Sequence, residues 1–439
     1  MRKLLFFIAS ALALFAYIVT LSLHNPSIIS DELEPPNFPG FHDYRGVINV
    51  QSTNSSGFES ATELLRKAQD AKLDFIIFTE LNDFTGRRGP SGWNRQTFVL
   101  QGKKFGYVES RVISLGSETL EAAESLGQAQ TMIADYLSRP ETSQSISAQD
   151  RLLLTRPPES RSETNKWDTS ILQGVSGLEA INLQSVAHGA IHNAPASFAW
   201  SAMIYPFNSK LAALRLFADI GNSSPEFDEI DRLAKDRPVF ATLGSDVGRP
   251  LQLFGIPLRL PTAEVLFRLA SNHLLLRSEL TGDPESDRRK ILLGIAQGQT
   301  YLALDAIGNP KGFAAWFEDD SGTYPIGSRV TWRKAGGRIS VHLPKRPNTP
   351  FETAILRDGQ VVMTSNSVDT QFSVNEPGVY RVVVRAFLSP SLFDGGRWLP
   401  WIWTNPITLL ERGPANEVKP EAGQKPRPKR SGKPSARSR

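Results

Sequence analysis

A chain of 439 residues with 40% hydrophobic content has room for two or three domains and a sizeable core. Its formal charge of +4 divides into +7 for residues 412–439 and −3 for everything before them, so the basic character belongs to a tail and gives no nucleic-acid-binding face. With no cysteine, disulfides, thiolate metal sites and a cysteine nucleophile are excluded.

The first element, residues 4–23, is twenty residues without a charge. At 1.5 Å per residue it spans about 30 Å, the hydrocarbon thickness of a bilayer. Arg2 and Lys3 precede it, which predicts a cytoplasmic N-terminus and an exported body. A cleaved signal peptide is the competing reading; the run ends "TLSLHNP", without an A-x-A-like site, which favours an uncleaved anchor over residues 1–23. Residues 24–40 hold four prolines and no period, and read as a linker.

From 41 to 308 apolar runs alternate with helical patterns. "GVINV" reads as a strand, "ESATELLRKAQDAK" as a helix with Ser60 and Glu63 in capping-box spacing, and "LDFIIFTE" as a buried strand. "TLEAAESLGQAQTMIADYLS" reads as a helix; "RLLLTR", "GLEAINL" and "VFATLGSD" as strands; "AEVLFRLASNHLLL" and "ESDRRKILLGIAQG" as helices. This alternation predicts an α/β fold with a largely parallel sheet, open or closed. Residues 309–411 read as strands only, separated by turns such as Asp358-Gly359 and Pro377-Gly378, which predicts an all-β sandwich of Ig-like size. Residues 412–439 are Pro-rich, basic and nearly free of large apolar residues, the composition of a disordered tail.

In barrels and open sheets the chemistry sits at the carboxyl ends of strands. Those ends here are Asn49 and Gln51, Thr79 to Asn82, Thr155 to Pro157, Glu179 to Asn182, and Gly244 to Gly248. Asn49 and Gln51 are two apart, so on a regular strand they face the same way. In their order and spacing, over roughly residues 42–410, these segments resemble the polymerase-and-histidinol-phosphatase (PHP) superfamily. The late motif "WIWTNPITLL", Trp401 to Leu410, resembles that of its membrane-associated or secreted metallohydrolase branch, in which a distorted (β/α) barrel precedes a β-sandwich.

The resemblance implies a rim of metal ligands: His-x-His, Asp-His, a middle Glu, His-Pro and Asp-x-His. Carried over residue by residue, the first pair falls on Asn49 and Gln51, the second on Glu80 and Leu81, His-Pro on Arg156 and Pro157, and Asp-x-His on Asp246 and Gly248. The middle Glu corresponds to Lys103 or Glu109, two alternatives the alignment leaves open. Every expected histidine is missing: His24, His42, His188, His192, His273 and His342 all lie elsewhere. Amides are poor ligands for transition metals, and Leu81 and Gly248 offer no side-chain donor.

The rim Asn49, Gln51, Glu80, Arg156 and Asp246 is therefore expected to be degenerate, with no catalytic residue and no cofactor. Arg156 is expected to supply the lost metal charge by pairing with Asp246 or Glu80. Glu80, Asp246 and Asn49 remain as oxygen donors for a hard cation such as Mg²⁺ or Ca²⁺. His188 and His192, at helical spacing, lack a metalloprotease Glu, and Gly189, Asn193 and Pro195 argue against a stable helix there. The expected function is that of a membrane-anchored, exported pseudoenzyme of a bacterial cell envelope, binding a ligand or acting as a scaffold. The alternative is a PHP-type metal-dependent phosphoesterase or related hydrolase with an oxygen-rich site. Expected partners are the membrane, through residues 4–23, and an anionic small molecule or envelope polymer; no nucleic acid is expected, and no protein partner is specified.

Overall fold

The computed structural model describes residues 2–29, 40–85, 89–107, 110–115, 120, 122–138, 152–155, 169–172, 174–218, 225–248, 251–253, 256–258, 260–332, 336–388 and 396–411. The 412–439 tail, most of the 24–40 linker, Glu109 and Arg156 lie outside them.

Helix α1, Arg2–Leu23, is long and apolar enough to cross a membrane by length and composition. Beyond it a closed barrel is assembled from β1 (His42–Val50), β2 (Phe75–Leu81), β3 (Gly92–Asn94), β4 (Thr97–Tyr107), β5 (Ser110–Ser114), β6 (Leu152–Thr155), β7 (Gly177–Asn182) and β8 (Phe240–Val247). Around the ring β1, β2, β4, β6, β7 and β8 run the same way and β5 runs against them; β3 hangs from the edge of β4. Pairing of β1 with β8, Ile48 opposite Gly244, closes the ring.

Period-2 alternation decides what fills it. Ile48, Phe75, Ile77, Phe98, Leu100, Ile113 and Phe240 form an inner apolar cluster. The neighbouring Val47, Ile76, Phe78 and Val99 pack in a separate cluster with the surrounding helices. These helices are α2 (Ala61–Asp70), α3 (Leu126–Leu137), α4 (Thr169–Leu172), α5 (Leu183–Asn193), α6 (Pro195–Ile204), α7 (Ser209–Leu216) and α8 (Pro225–Asp236). The Ser60–Glu63 capping box forms as expected: Glu63 N–H donates to Ser60 Oγ and Ser60 N–H to Glu63 Oε2.

After the small β9–β10 hairpin (Leu251–Leu253, Ile256–Leu258) come α9 (Ala263–Leu269), β11 (Ser271–Leu276), α10 (Pro284–Ala296) and β12 (Thr300–Ala303). The run expected to be one helix over "AEVLFRLASNHLLL" is thus a helix followed by a strand. Leu274 and Leu276 join the inner cluster while Leu275 joins the outer one, an alternation of two that only a strand provides. The helix expected over "TLEAAESLGQAQTMIADYLS" begins at Leu126, where Ser125 accepts from Gln128 N–H. The doubted helix through His188 and His192 does form, as α5, because Asn182 caps its first turn through Ser185 N–H.

The remaining strands are β13 (Ala314–Asp319), β14 (Gly322–Pro325), β15 (Arg329–Thr331), β16 (Gly337–His342), β17 (Phe351–Arg357), β18 (Gln360–Ser365), β19 (Asp369–Val374), β20 (Gly378–Leu388), β21 (Arg397–Thr404) and β22 (Ile407–Leu410). β14-β13-β16-β19 form one sheet. The others continue the barrel's own sheet, because β11 pairs with β1, β12 with β11, and β21 with β12. The late motif fastens this junction. Asn405, fully buried, accepts from Ala241 N–H at 2.6 Å and donates to Ala241 O at 3.1 Å and Thr300 O at 2.9 Å. Trp401 Nε1 donates to Gly308 O at 2.8 Å. A buried ion pair, Arg381 with Asp231, ties β20 to α8 through two hydrogen bonds of 2.6 Å.

Candidate functional site

The inward alternation that places Phe98 and Leu100 of β4 in the apolar cluster brings Lys104 inward two layers higher, and the same step on β2 brings Thr79 above Phe75 and Ile77. On β8 it carries Asp246 above Phe240. Asn49 is one residue after the inward Ile48 and would face outward on a regular strand. A bulge between Val47 and Val50 turns it back: Asn49 adopts φ 65° and Asp246 φ 44°, left-handed positions that Asn and Asp tolerate better than most residues.

With Glu179 and Asn182 from β7, five strands thus deliver one polar layer. Lys104 Nζ donates to Asp246 Oδ1 at 2.6 Å and to Asn49 Oδ1 at 2.9 Å. Gln51 Nε2 donates to the same Asp246 oxygen at 2.8 Å. Asn182 Nδ2 bridges Asp246 Oδ2 at 3.1 Å and Glu179 Oε2 at 2.7 Å. Asn49 Nδ2 donates to Glu179 Oε1 at 2.8 Å, and Thr79 Oγ1 donates to Asn49 Oδ1 at 3.0 Å. Gly244 makes room for this layer: a Cβ there would sit 1.5 Å from Glu179 Oε1. Lys104 and Asn49 are wholly buried and Asp246 is 3% exposed.

Burial alone would push the Asp246 carboxyl up. The charge and hydrogen bond of Lys104, with the Asn182 donor and the nearby charge of Arg111, outweigh it and hold Asp246 below the usual carboxylate range.

Glu80 stands apart. It follows the outward alternation of β2, and its carboxylate accepts from Ser52 N–H at 3.0 Å and from the hydroxyls of Ser52 and Ser55. It makes no hydrogen bond to Asn49, Gln51 or Asp246. The structure therefore joins Gln51 to Asp246 directly and Asn49 to Asp246 through Lys104, and holds Glu80 in the neighbouring serine loop. Arg156, expected to pair with Asp246 or Glu80, lies outside the described residues, as does Glu109. Lys103, one candidate for the middle Glu, has its ammonium 5.9 Å from the Phe84 ring centre, while its neighbour Lys104 enters the rim.

Sequence reasoning misses Lys104, because the mixed run "TFVLQGKKFGY" does not declare itself as a strand. The available signal was its alternation, Phe98-Leu100-Gly102-Lys104, a charged residue ending an inward apolar register. Glu179 and Asn182 are legible as a strand end but not as members of the site.

The donor set does not fit the metals that a PHP rim implies. The oxygens of Asn49, Asp246 and Glu80 already accept hydrogen bonds from nitrogen or hydroxyl donors, and a fixed ammonium lies among them. Among the described residues no three His, Cys, Asp or Glu side chains are grouped to hold a metal ion. His188 and His192 stack on each other, ring centres 4.8 Å apart.

Beside the rim lies a cavity of about 390 Å³, lined by Gln51, Phe58, Lys67, Leu183, Phe217 and Leu266 among others. Its charged side chains have partners of their own: Lys67 pairs with Glu59, and Arg66 with Asp70 at 3.1 Å.

No protein-family model matches the chain, and no curated protein does. Among solved structures the chain is similar to a two-domain protein containing a predicted PHP-like metal-dependent phosphoesterase from Bacteroides vulgatus, at 13% identity and a TM-score of 0.36, over 87% of this chain and 99% of that one.

Proposed function

We propose that this is a membrane-anchored, exported, PHP-like protein that does not carry out metal-dependent hydrolysis and serves in ligand binding or as a scaffold at the cell envelope. The observation that carries the reading is Lys104, a buried ammonium bonded to Asn49 and Asp246, two positions at which the family resemblance implies metal ligands. A fixed positive charge there neutralises Asp246 as a metal would, but it offers neither an open coordination position nor a water of lowered pKa. The amides of Asn49, Gln51 and Asn182 complete the layer by giving each carboxylate a donor.

The ligand-binding form of the reading uses the cavity beside Gln51. Its walls are divided between polar and apolar side chains and its lysine is paired with Glu59, which suits an amphipathic organic ligand better than a bare anion.

The test is turnover. The full chain, incubated with Mn²⁺, Zn²⁺ or Mg²⁺, is expected to release no phosphate from mono- and diester substrates beyond the rate of an Asp246→Ala variant. Metal-dependent turnover that Asp246→Ala abolishes would instead support the oxygen-rich hydrolase.

A further inference from the structure

We infer that helix α6 and the turn after it, residues 195–207, form a second membrane contact, lying in the lipid interface beside α1. The inference rests on the reading of α1 as a membrane span. Between His192 and Lys210 the chain has no charged side chain. The exposed residues of this segment include Pro195, Ala196, Ala199, Met203, Pro206 and Phe207, all apolar, with Met203 45% and Phe207 51% exposed. A surface helix whose outward face is apolar needs a cover.

The packing of α1 says what the cover is. Leu21 is buried against Ile204 and Leu211, with Tyr17 and Trp200 beside them. Trp200 Nε1 donates to Tyr17 Oη at 2.9 Å. Asn208 Nδ2 donates to Leu21 O at 2.8 Å and His24 O at 2.9 Å, satisfying carbonyls at the end of α1. The last turns of α1 are therefore fixed to α6 and α7.

The freely exposed stretch, Lys3–Ala16, is only about 21 Å long at 1.5 Å per residue, against a hydrocarbon core of about 30 Å. For α1 to span, its Tyr17–Leu21 turn must lie at or below the bilayer surface, and whatever is packed on that turn lies at the same depth. The apolar face of α6 then meets acyl chains, and the Trp200–Tyr17 pair sits at headgroup level, where such side chains are favoured.

The chain has no cysteine, so single cysteines give unique labels. Full-length Phe207→Cys, Ala199→Cys, Leu12→Cys and Val361→Cys would each carry an environment-sensitive fluorophore in phosphatidylcholine–phosphatidylglycerol vesicles. Nitroxide lipids bearing the quencher at a shallow or a deep acyl position would be added. Leu12 reports α1 itself, and Val361, 51% exposed on β18, reports water. The expected result is quenching of the 207 and 199 labels by about twofold or more relative to 361, stronger with the shallow quencher, as for an interfacial helix, and of the 12 label by the deep one. Quenching at 12 with none at 199 and 207 beyond that at 361 would overturn the inference and leave the anchor standing. No quenching at 12 either would overturn both. Unquenched labels at 207 that crosslink between chains would give the face to a second copy instead.

Discussion

Lys104 and Asp246 form the buried ion pair on which the rim depends. Removing one member leaves the other charged and without its counter-ion, which typically costs about 3–5 kcal/mol. Lys104→Met is therefore expected to lower the urea midpoint and the thermal midpoint markedly, whereas Lys104→Met with Asp246→Asn should recover most of the loss. A double variant as unstable as the sum of its parts would show that the two residues act separately. Another buried ionic group lies at the opposite end of β1. His273 is hydrogen-bonded to Asp43 at 2.9 Å and Asp305 at 3.0 Å, with Arg45 also on Asp305 at 3.1 Å and Tyr301 donating to Asp43. Burial alone would lower its pKa, but the charge of Asp43 and the bonds to both carboxylates outweigh that and raise it to about 9. A folded pKa raised above an ordinary 6.5 stabilises the fold fully below about pH 6.5 and loses that contribution as pH rises through 9, on the order of 3 kcal/mol in all. Tyr301 is held well above its usual 10 by burial and Asp43, so it does not titrate in this window. The thermal midpoint is expected to fall between pH 6.5 and 9, and in Asp43→Asn to fall by less and level off at lower pH, because the folded pKa is then nearer 6.5; a flat wild-type profile to pH 9.5 would contradict the assignment.

At the scale of elements, Asn405 shows what the late "WIWTNPITLL" motif does physically. Its amide substitutes for a strand partner of Ala241, as Asn272 does for Leu243, where it accepts from N–H at 2.8 Å and donates to the carbonyl at 2.7 Å. Asn405→Ala would strand a buried N–H and carbonyls, a loss of about 2–4 kcal/mol. The expected outcome is a lower thermal midpoint with unchanged secondary structure; an unaltered midpoint would mean that water replaces the amide. The sequence carried much of this level. Strands over "GVINV", "LDFIIFTE", "GLEAINL" and "VFATLGSD" were legible because continuous apolar runs end in polar residues. Less legible was "ASNHLLL", where three leucines imitate a helix and only the two separate clusters they enter reveal a strand. Helices α6 and α7 are also hard to read, being weakly patterned, whereas α8 carries a legible helical spacing in Phe227, Ile230, Leu233 and Ala234. In the site, Asn49, Gln51 and Asp246 were accessible from strand-end position. Lys104 was not, because its role depends on the register of Leu81 opposite it on β2 and on a bulge that turns Asn49 inward.

At the scale of the whole molecule, one continuous sheet runs from the barrel into the β-rich C-terminal part, and α1 is fixed to the barrel's helices. The anchored reading predicts that the full chain stays with the membrane through alkaline carbonate extraction; release into the supernatant would favour a cleaved leader. The 412–439 tail, at net +7, would add on the order of 1 kcal/mol of attraction to an anionic surface per basic residue near it, an effect that deleting the tail should remove at low salt.

A lysine that takes the charge position of the metals would leave the rim without them. The most direct measurement is the metal content of the purified full chain, by mass spectrometry, after equilibration with Mn²⁺, Zn²⁺ and Fe²⁺ and removal of the free ions. The account predicts well under one equivalent of any of them, unchanged in Asp246→Ala. One or more equivalents in the wild-type chain, lost in Asp246→Ala, would contradict it.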